Sequence, residues 1–145
     1  MPKSFSGGCA CGAIRYQVDA EPLLMVNCHC RACQRASGGA YGTGLIVLTA
    51  AVKIDGEPRW HESLAESGSM ARRGFCGTCG SPLFAASTAP SAVAMSIKAA
   101  SLDDPSWFRV QADMWTKTAQ PWACTDPAVP KFETHAKRPE SLAVT

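Results

Sequence analysis

The chain has 145 residues, a formal net charge of +2 and eight cysteines. That length suits one domain, expected over residues 1–145, and leaves too little for two independent cores. The near-neutral charge without any like-charge run argues against a dedicated nucleic-acid or membrane-surface protein. Met1–Phe5 has no apolar leader-like core, and the most apolar stretch, Gly44–Val52, is too short to span a bilayer. A soluble, cytoplasmic protein is therefore expected.

Along the chain, Ile14, Tyr16 and Val18 alternate with Ala13, Arg15 and Gln17, the period of a half-buried strand. The pair Cys9 and Cys11 stands in a glycine-bracketed turn before it, where glycines let amide N–H groups point at thiolate sulfur. Glu21-Pro22 breaks the chain, and Leu23–Val26 forms an apolar run that delivers Cys28, Cys30 and Cys33 from a strand end. Gln34–Ser37 predicts a single helical turn stopped by Gly38-Gly39, its first amides aimed at the cysteines. Leu45–Leu48 and Val52–Ile54 read as strands, with Asp55-Gly56 as a turn. Residues 63–71 are polar and small, and they lead through Arg72-Arg73-Gly74-Phe75 into a second glycine-bearing knuckle, Cys76-Gly77-Thr78-Cys79-Gly80. Val93–Ile97 is another strand candidate, Ser101–Pro105 a turn or brief helical start, and Phe108–Val110 and Met114-Trp115 alternate weakly. The tail after Lys137 is expected to be loosely held. The texture is mainly β, in several short antiparallel sheets with one or two helical turns.

Cysteines in close pairs converge their sulfurs on one point, as a tetrahedral metal requires, whereas disulfide frameworks scatter them. Metal ligation is therefore preferred here to disulfides or to a redox role for Cys76-x-x-Cys79. Cys9, Cys11, Cys76 and Cys79 lie in two glycine-bracketed knuckles that together make a closed four-thiolate site, a structural staple. Arg15, Arg72 and Arg73 are candidates to offset its charge, or else line a solvated face. Cys28, Cys30 and Cys33 are left with three sulfurs and an open fourth position, the mark of a catalytic metal. His29 or Cys124 are the two ways to close it from within the chain; alternation along an extended backbone turns His29 away, and a lone cysteine is more often a small buried hydrophobe. Three thiolates make a weak Lewis acid of a dication but suit a soft ligand. A substrate thiol held there as thiolate would attack a small electrophile such as an aldehyde.

The Gly-Gly-Cys9-Ala-Cys11-Gly segment, Cys28-His29-Cys30-Arg31-Ala32-Cys33 followed by Ser37-Gly38, Phe75-Cys76-Gly77-Thr78-Cys79-Gly80, Leu102-Asp103-Asp104 and Pro121-Trp122 together resemble the glutathione-dependent formaldehyde-activating enzyme family, which includes centromere protein V. The resemblance spans residues 6 to about 132. It implies a mainly β fold around two zincs, with Cys9, Cys11, Cys76 and Cys79 as structural ligands and Cys28, Cys30 and Cys33 as catalytic ones. It also implies a carbon–sulfur lyase that joins glutathione to formaldehyde as S-(hydroxymethyl)glutathione. For glutathione's carboxylates the nearby candidates are Gln34, Arg35 and Ser37, with Trp115, Lys117 and Trp122 to close a pocket. His61 and His135, far from the cysteines in sequence, are read as surface residues. A zinc deaminase is discounted because no His-x-Glu and no Pro-Cys-x-x-Cys occurs. The alternative from another class is a non-enzymatic zinc module for protein or nucleic-acid interaction, with both metals structural.

Overall fold

The computed structural model describes residues 1–137 and folds them into two sheets and one short α-helix. The expectation for the tail after Lys137 falls outside the described residues. The smaller sheet, in the order β1-β2-β5, contains β1 (Phe5–Gly8), β2 (Arg15–Val18) and β5 (Val52–Asp55). The larger has seven strands in the order β10-β3-β4-β9-β8-β7-β6. These are β3 (Leu24–Cys28), β4 (Gly42–Leu48), β6 (Arg59–Leu64), β7 (Met70–Phe75), β8 (Pro82–Ser87), β9 (Ala94–Lys98) and β10 (Ala112–Met114). Among the described strands every pairing is antiparallel except β3 with β10. No helix of the described residues is long and apolar enough to cross a membrane.

Strand alternation assigns the two faces of the large sheet different tasks. One face carries Met25, Leu45, Ile97 and Phe84, all buried, and packs on Val18, Tyr16 and Phe5 of the small sheet to form the main core. Each such side chain contributes about 1.5–3 kcal/mol on burial. Burial also pushes the Tyr16 phenol up to about 12, its hydroxyl 2.7 Å from Ser101 Oγ. The opposite face carries Val26, Cys28, Gly42, Gly44, Ser96, Lys98, Ala85 and Arg73, as the cross-strand register requires. At the β3 edge Leu24, Val26 and Ala112 form a small second cluster beneath Phe132 and Ala136. β3 is buried at every residue because it is covered on both faces, which is why it reads as an unbroken apolar run.

The helix α1 spans Arg31–Ser37, starting earlier than the single turn expected. Cys30 is its N-cap, and Gly38 ends it in the left-handed region at φ 73°, where glycine is favoured. The helix descends on β4 where Gly42 has no side chain: a Cβ there would lie 3.2 Å from Cys33 Cβ and 3.4 Å from Lys98 Nζ. Strands β6 and β7 extend into both ends of the polar stretch 63–71, where no strand was expected. In β6 the pattern is nearly all exposed, so its only strong anchor is Trp60, stacked on Phe84 and covered by the Arg72 guanidinium at 4.2 Å.

Candidate active site

Two sulfur clusters stand at two corners of this framework. In the first, Cys9 and Cys11 leave the end of β1, and Cys76 and Cys79 leave the end of β7. Both knuckles close with a similar backbone bond, Gly12 N–H to Cys9 O at 3.2 Å and Gly80 N–H to Cys76 O at 2.8 Å. The Ala10 amide donates to Ser81 Oγ at 3.0 Å and ties them together. The four sulfurs lie within 4.8 Å of one another, with Cys9–Cys11 at 3.6 Å and Cys11–Cys76 at 3.7 Å. A disulfide needs about 2.05 Å, whereas a tetrahedron with centre-to-sulfur distances of about 2.3 Å has edges of about 3.8 Å. The donor set and its spacing therefore fit a zinc-sized, thiolate-bound ion. Amides of Ile14, Thr78 and Cys79 point at the Cys9 and Cys76 sulfurs, at 3.2, 3.4 and 3.5 Å. Hydrogen bonds from Ser81 bring the Cys79 thiol down to about 5, so one anionic sulfur is favoured even before a cation arrives.

The second cluster is built at the junction of β3 and α1. Cys28 is the last residue of β3, Cys30 caps the helix, and Cys33 sits in its first turn, its amide donating to Cys30 Sγ at 3.4 Å. Their three sulfurs lie within 4.8 Å of one another, and no fourth His, Cys, Asp or Glu ligand atom joins them among the described residues. His29 points the other way, as the alternation predicts: it is 1% exposed, with Nε2 2.8 Å from Asp113 Oδ1. Cys124 is exposed and outside both clusters. The Arg73 guanidinium reaches Cys33, Nη2 to Sγ at 3.6 Å. Hydrogen bonds from Cys28 and Cys30, then the charges of Lys98 and Arg73, hold the Cys33 thiol far below its ordinary value, while its neighbours push Cys28 up. Burial pulls the Lys98 ammonium down, partly offset by the Cys33 charge. The trio thus carries its negative charge between two cations and can accept a soft metal.

This cluster opens into a cavity of about 430 Å³ on the second face of the large sheet. Cys28, Cys30 and Cys33 line one end with Arg73, Lys98 and Trp115. The β6–β7 hairpin tip arches over it, and Glu66 accepts from the Arg31 amide at 2.6 Å. A groove of about 840 Å³, more polar than the cavity though still mostly apolar, is lined by Ser37, Tyr41, Ser101, Arg15 and Asp103 among others and shares Gly42, Thr43 and Lys98 with the cavity.

The family model for the glutathione-dependent formaldehyde-activating enzyme matches residues 4–118. The chain belongs to this family. Among solved structures, the crystal structure of a Rhodobacter sphaeroides protein from a structural genomics programme superposes with a TM-score of 0.53 at 17% identity, over 88% of this chain and 98% of that one. That likeness concerns the fold. A comparison with curated proteins found no match. Family membership supports glutathione-dependent formaldehyde activation as the general activity, and the two cysteine clusters could hold metal ions.

Several expected roles move once the geometry is known. Of the three arginines considered either for the four-sulfur site or for a solvated face, Arg73 serves the other cluster, Arg72 lies on Trp60, and Arg15 pairs with Asp103. Gln34 is buried and structural: its amide donates to His29 O at 2.7 Å and Thr118 O at 3.0 Å, and its Oε1 accepts from Gln120 at 3.0 Å. Arg35 is exposed, Ser37 lines the groove, and Trp122 is exposed away from the cavity. Trp115 does close the cavity, with Lys117 over its ring at 5.0 Å and His135 edge-on at 5.2 Å. His135 is exposed, as expected, and stands at the cavity's rim because residues 130–134 bond alongside β10 and carry it there.

Trp115 has φ 58°, a left-handed conformation that costs a non-glycine residue about 1–3 kcal/mol. Its neighbours fix it: Trp115 N–H donates to Thr134 O at 2.8 Å, and the Thr118 hydroxyl shares its one proton between Trp115 O and His29 O, each 3.1 Å from Oγ1. Beneath it Asp113 receives His29, Asn27 at 3.2 Å and Lys131 at 2.8 Å. Burial raises the Asp113 carboxyl, but these partners outweigh it and the net direction is downward. The ion pairs and hydrogen bonds around the cysteine loop were invisible to spacing arguments, since Asp113 lies far along the chain; the small residues between apolar runs were the only hint of the cavity.

Proposed function

We propose that Cys28, Cys30 and Cys33 hold a catalytic zinc at which a thiol, glutathione by family, adds to a small aldehyde such as formaldehyde, a carbon–sulfur lyase reaction read in the synthetic direction. Cys9, Cys11, Cys76 and Cys79 hold a second, structural zinc. The observation that carries the reading is the three-sulfur cluster facing a cavity, with His29 turned to Asp113 and Cys124 exposed and outside the cluster. Zinc bound there would keep a substrate thiol as thiolate near neutral pH, where a free thiol of pKa about 8.5 is mostly protonated.

The chain's own residues supply the rest. Arg73 Nη1 is buried and has no hydrogen-bond partner, although Nη2 is committed to Cys33. An orphaned charged donor is costly unless something occupies it. Arg73 lines the cavity beside the cysteines, where its positive charge favours the negative charge that develops on an aldehyde oxygen. Lys98, on the neighbouring strand, adds positive charge at the same end. Met114 and Trp115 give that end an apolar wall. The groove meeting the cavity at Lys98 offers hydroxyls and the Lys98 ammonium to a peptide thiol whose carboxylates need donors, its Arg15 being paired with Asp103.

The test is glutathione-dependent formaldehyde consumption by zinc-loaded protein, compared with Cys30→Ser. Rate acceleration lost in that variant, together with one zinc, supports the reading. Equal rates in both contradict it.

A further inference from the structure

We propose that the aldehyde accepted at the three-cysteine site carries an apolar body the size of a short alkyl or phenyl group, and that formaldehyde underfills the site. This rests on the thiol-addition reading above and adds its substrate class. Formaldehyde has two heavy atoms and is little larger than water, whose share of liquid volume is about 30 Å³. The cavity offers about 430 Å³, within the range of pockets that enclose an organic ligand.

The hollow comes from side-chain choice. On the core face, β4, β8 and β9 present Leu45, Phe84 and Ile97. On the cavity face, the same strands present Gly44, Ala85, Ala94 and Ser96, and β7 adds Ala71. A sheet face normally carries branched or aromatic residues, so four neighbouring strands with small ones leave a trough. Its walls are Ile46, Met70, Met114 and Trp115. Methionine is the side chain that adapts to apolar shapes of varied outline.

Positive charge is confined to one end of this trough. Arg73 and Lys98 stand beside Cys33, while Glu66 on the rim is turned to the Arg31 amide. A carbonyl oxygen is drawn to the end that carries the Arg73 and Lys98 charges, and the attached apolar group extends over the alanine and glycine floor. Glutathione's two carboxylates find no partners on that floor, and the groove takes them on the other side of Lys98. In the reaction the thiol sulfur forms the new bond to the carbonyl carbon, the carbonyl π pair moves onto oxygen, and that oxygen gains the proton lost by the thiol. No oxidant or reductant is needed.

The experiment uses the zinc-loaded full chain with glutathione and, in turn, formaldehyde, hexanal and phenylacetaldehyde, following adduct formation above the uncatalysed rate by NMR exchange. The expected result is a kcat/KM for hexanal or phenylacetaldehyde at least tenfold above that for formaldehyde. Ala85→Phe should shrink that ratio at least tenfold, with zinc content and circular dichroism as checks on folding. Ala94→Phe, on another strand, serves if the first variant does not fold. Preference for formaldehyde, or a ratio that neither substitution changes, overturns the inference and leaves the thiol-addition reading standing. Failure to accelerate any of the three aldehydes sinks that reading, and the inference with it.

Discussion

The two cysteine clusters use the same ligand and nearly the same spacing, yet they are embedded in opposite surroundings. Around Cys9, Cys11, Cys76 and Cys79 the sulfurs are met by backbone amides and a serine hydroxyl. Around Cys28, Cys30 and Cys33 they are met by an arginine, a half-buried lysine and a cavity. Neutral donors satisfy a finished coordination shell without attracting anything further. Cations beside an unfinished one compensate charge and also attract an electron-rich substrate atom. What a thiolate cluster does is thus decided by its count and by its neighbours, more than by the cysteine motif.

The contrast can be broken or sharpened by substitution. Cys76→Ser should have the largest effect, because structural zinc contributes on the order of 10 kcal/mol to folding in small domains; loss of native circular dichroism and of bound zinc is the expected outcome. Cys30→Ser should retain the fold, since serine is itself a good N-cap for α1. It should nonetheless lose one zinc per chain and bring thiol-dependent turnover to background. Equal unfolding of the two variants would erase the division of labour.

Arg73→Met should leave both zincs in place and lower kcat by about 10²-fold, the scale set by removing one preorganised donor to a developing oxyanion. An unchanged kcat with a raised KM would make Arg73 a binding group only. The smallest effect belongs to the exposed Asp103–Arg15 pair. Arg15 and then Ser6 hold the Asp103 carboxyl down to about 2, so its contribution is present above the unfolded value of about 3.9 and fades only as pH falls below that. Asp103→Asn should therefore cost under about 1 kcal/mol by urea denaturation, with a difference that stays flat across neutral pH.

Much of this organisation is legible in the residues. The alternation of Ile14, Tyr16 and Val18, the apolar run into Cys28, and the glycine-bracketed knuckles locate β2, β3 and both clusters, because each is a local pattern with a local cause. The β6–β7 hairpin is not legible: its outward face is polar and its strands are held by pairing and by Trp60 rather than by a periodic apolar stripe. Arg73 was credited to the nearer cysteines in sequence, Cys76 and Cys79. The register sets Arg73 opposite Ala85 on the cavity face and Gly74 opposite Phe84 on the core face, and the long Arg73 side chain then reaches Cys33. The Asp113 network and the cavity depend on contacts between distant segments, which spacing does not encode.

The most direct test is a crystal structure of the zinc-loaded protein soaked with glutathione. The account predicts glutathione sulfur at about 2.3 Å from the metal held by Cys28, Cys30 and Cys33, with the Cys9, Cys11, Cys76 and Cys79 metal bound by protein sulfur alone. A fourth protein side chain on the former metal, with glutathione excluded, would contradict it.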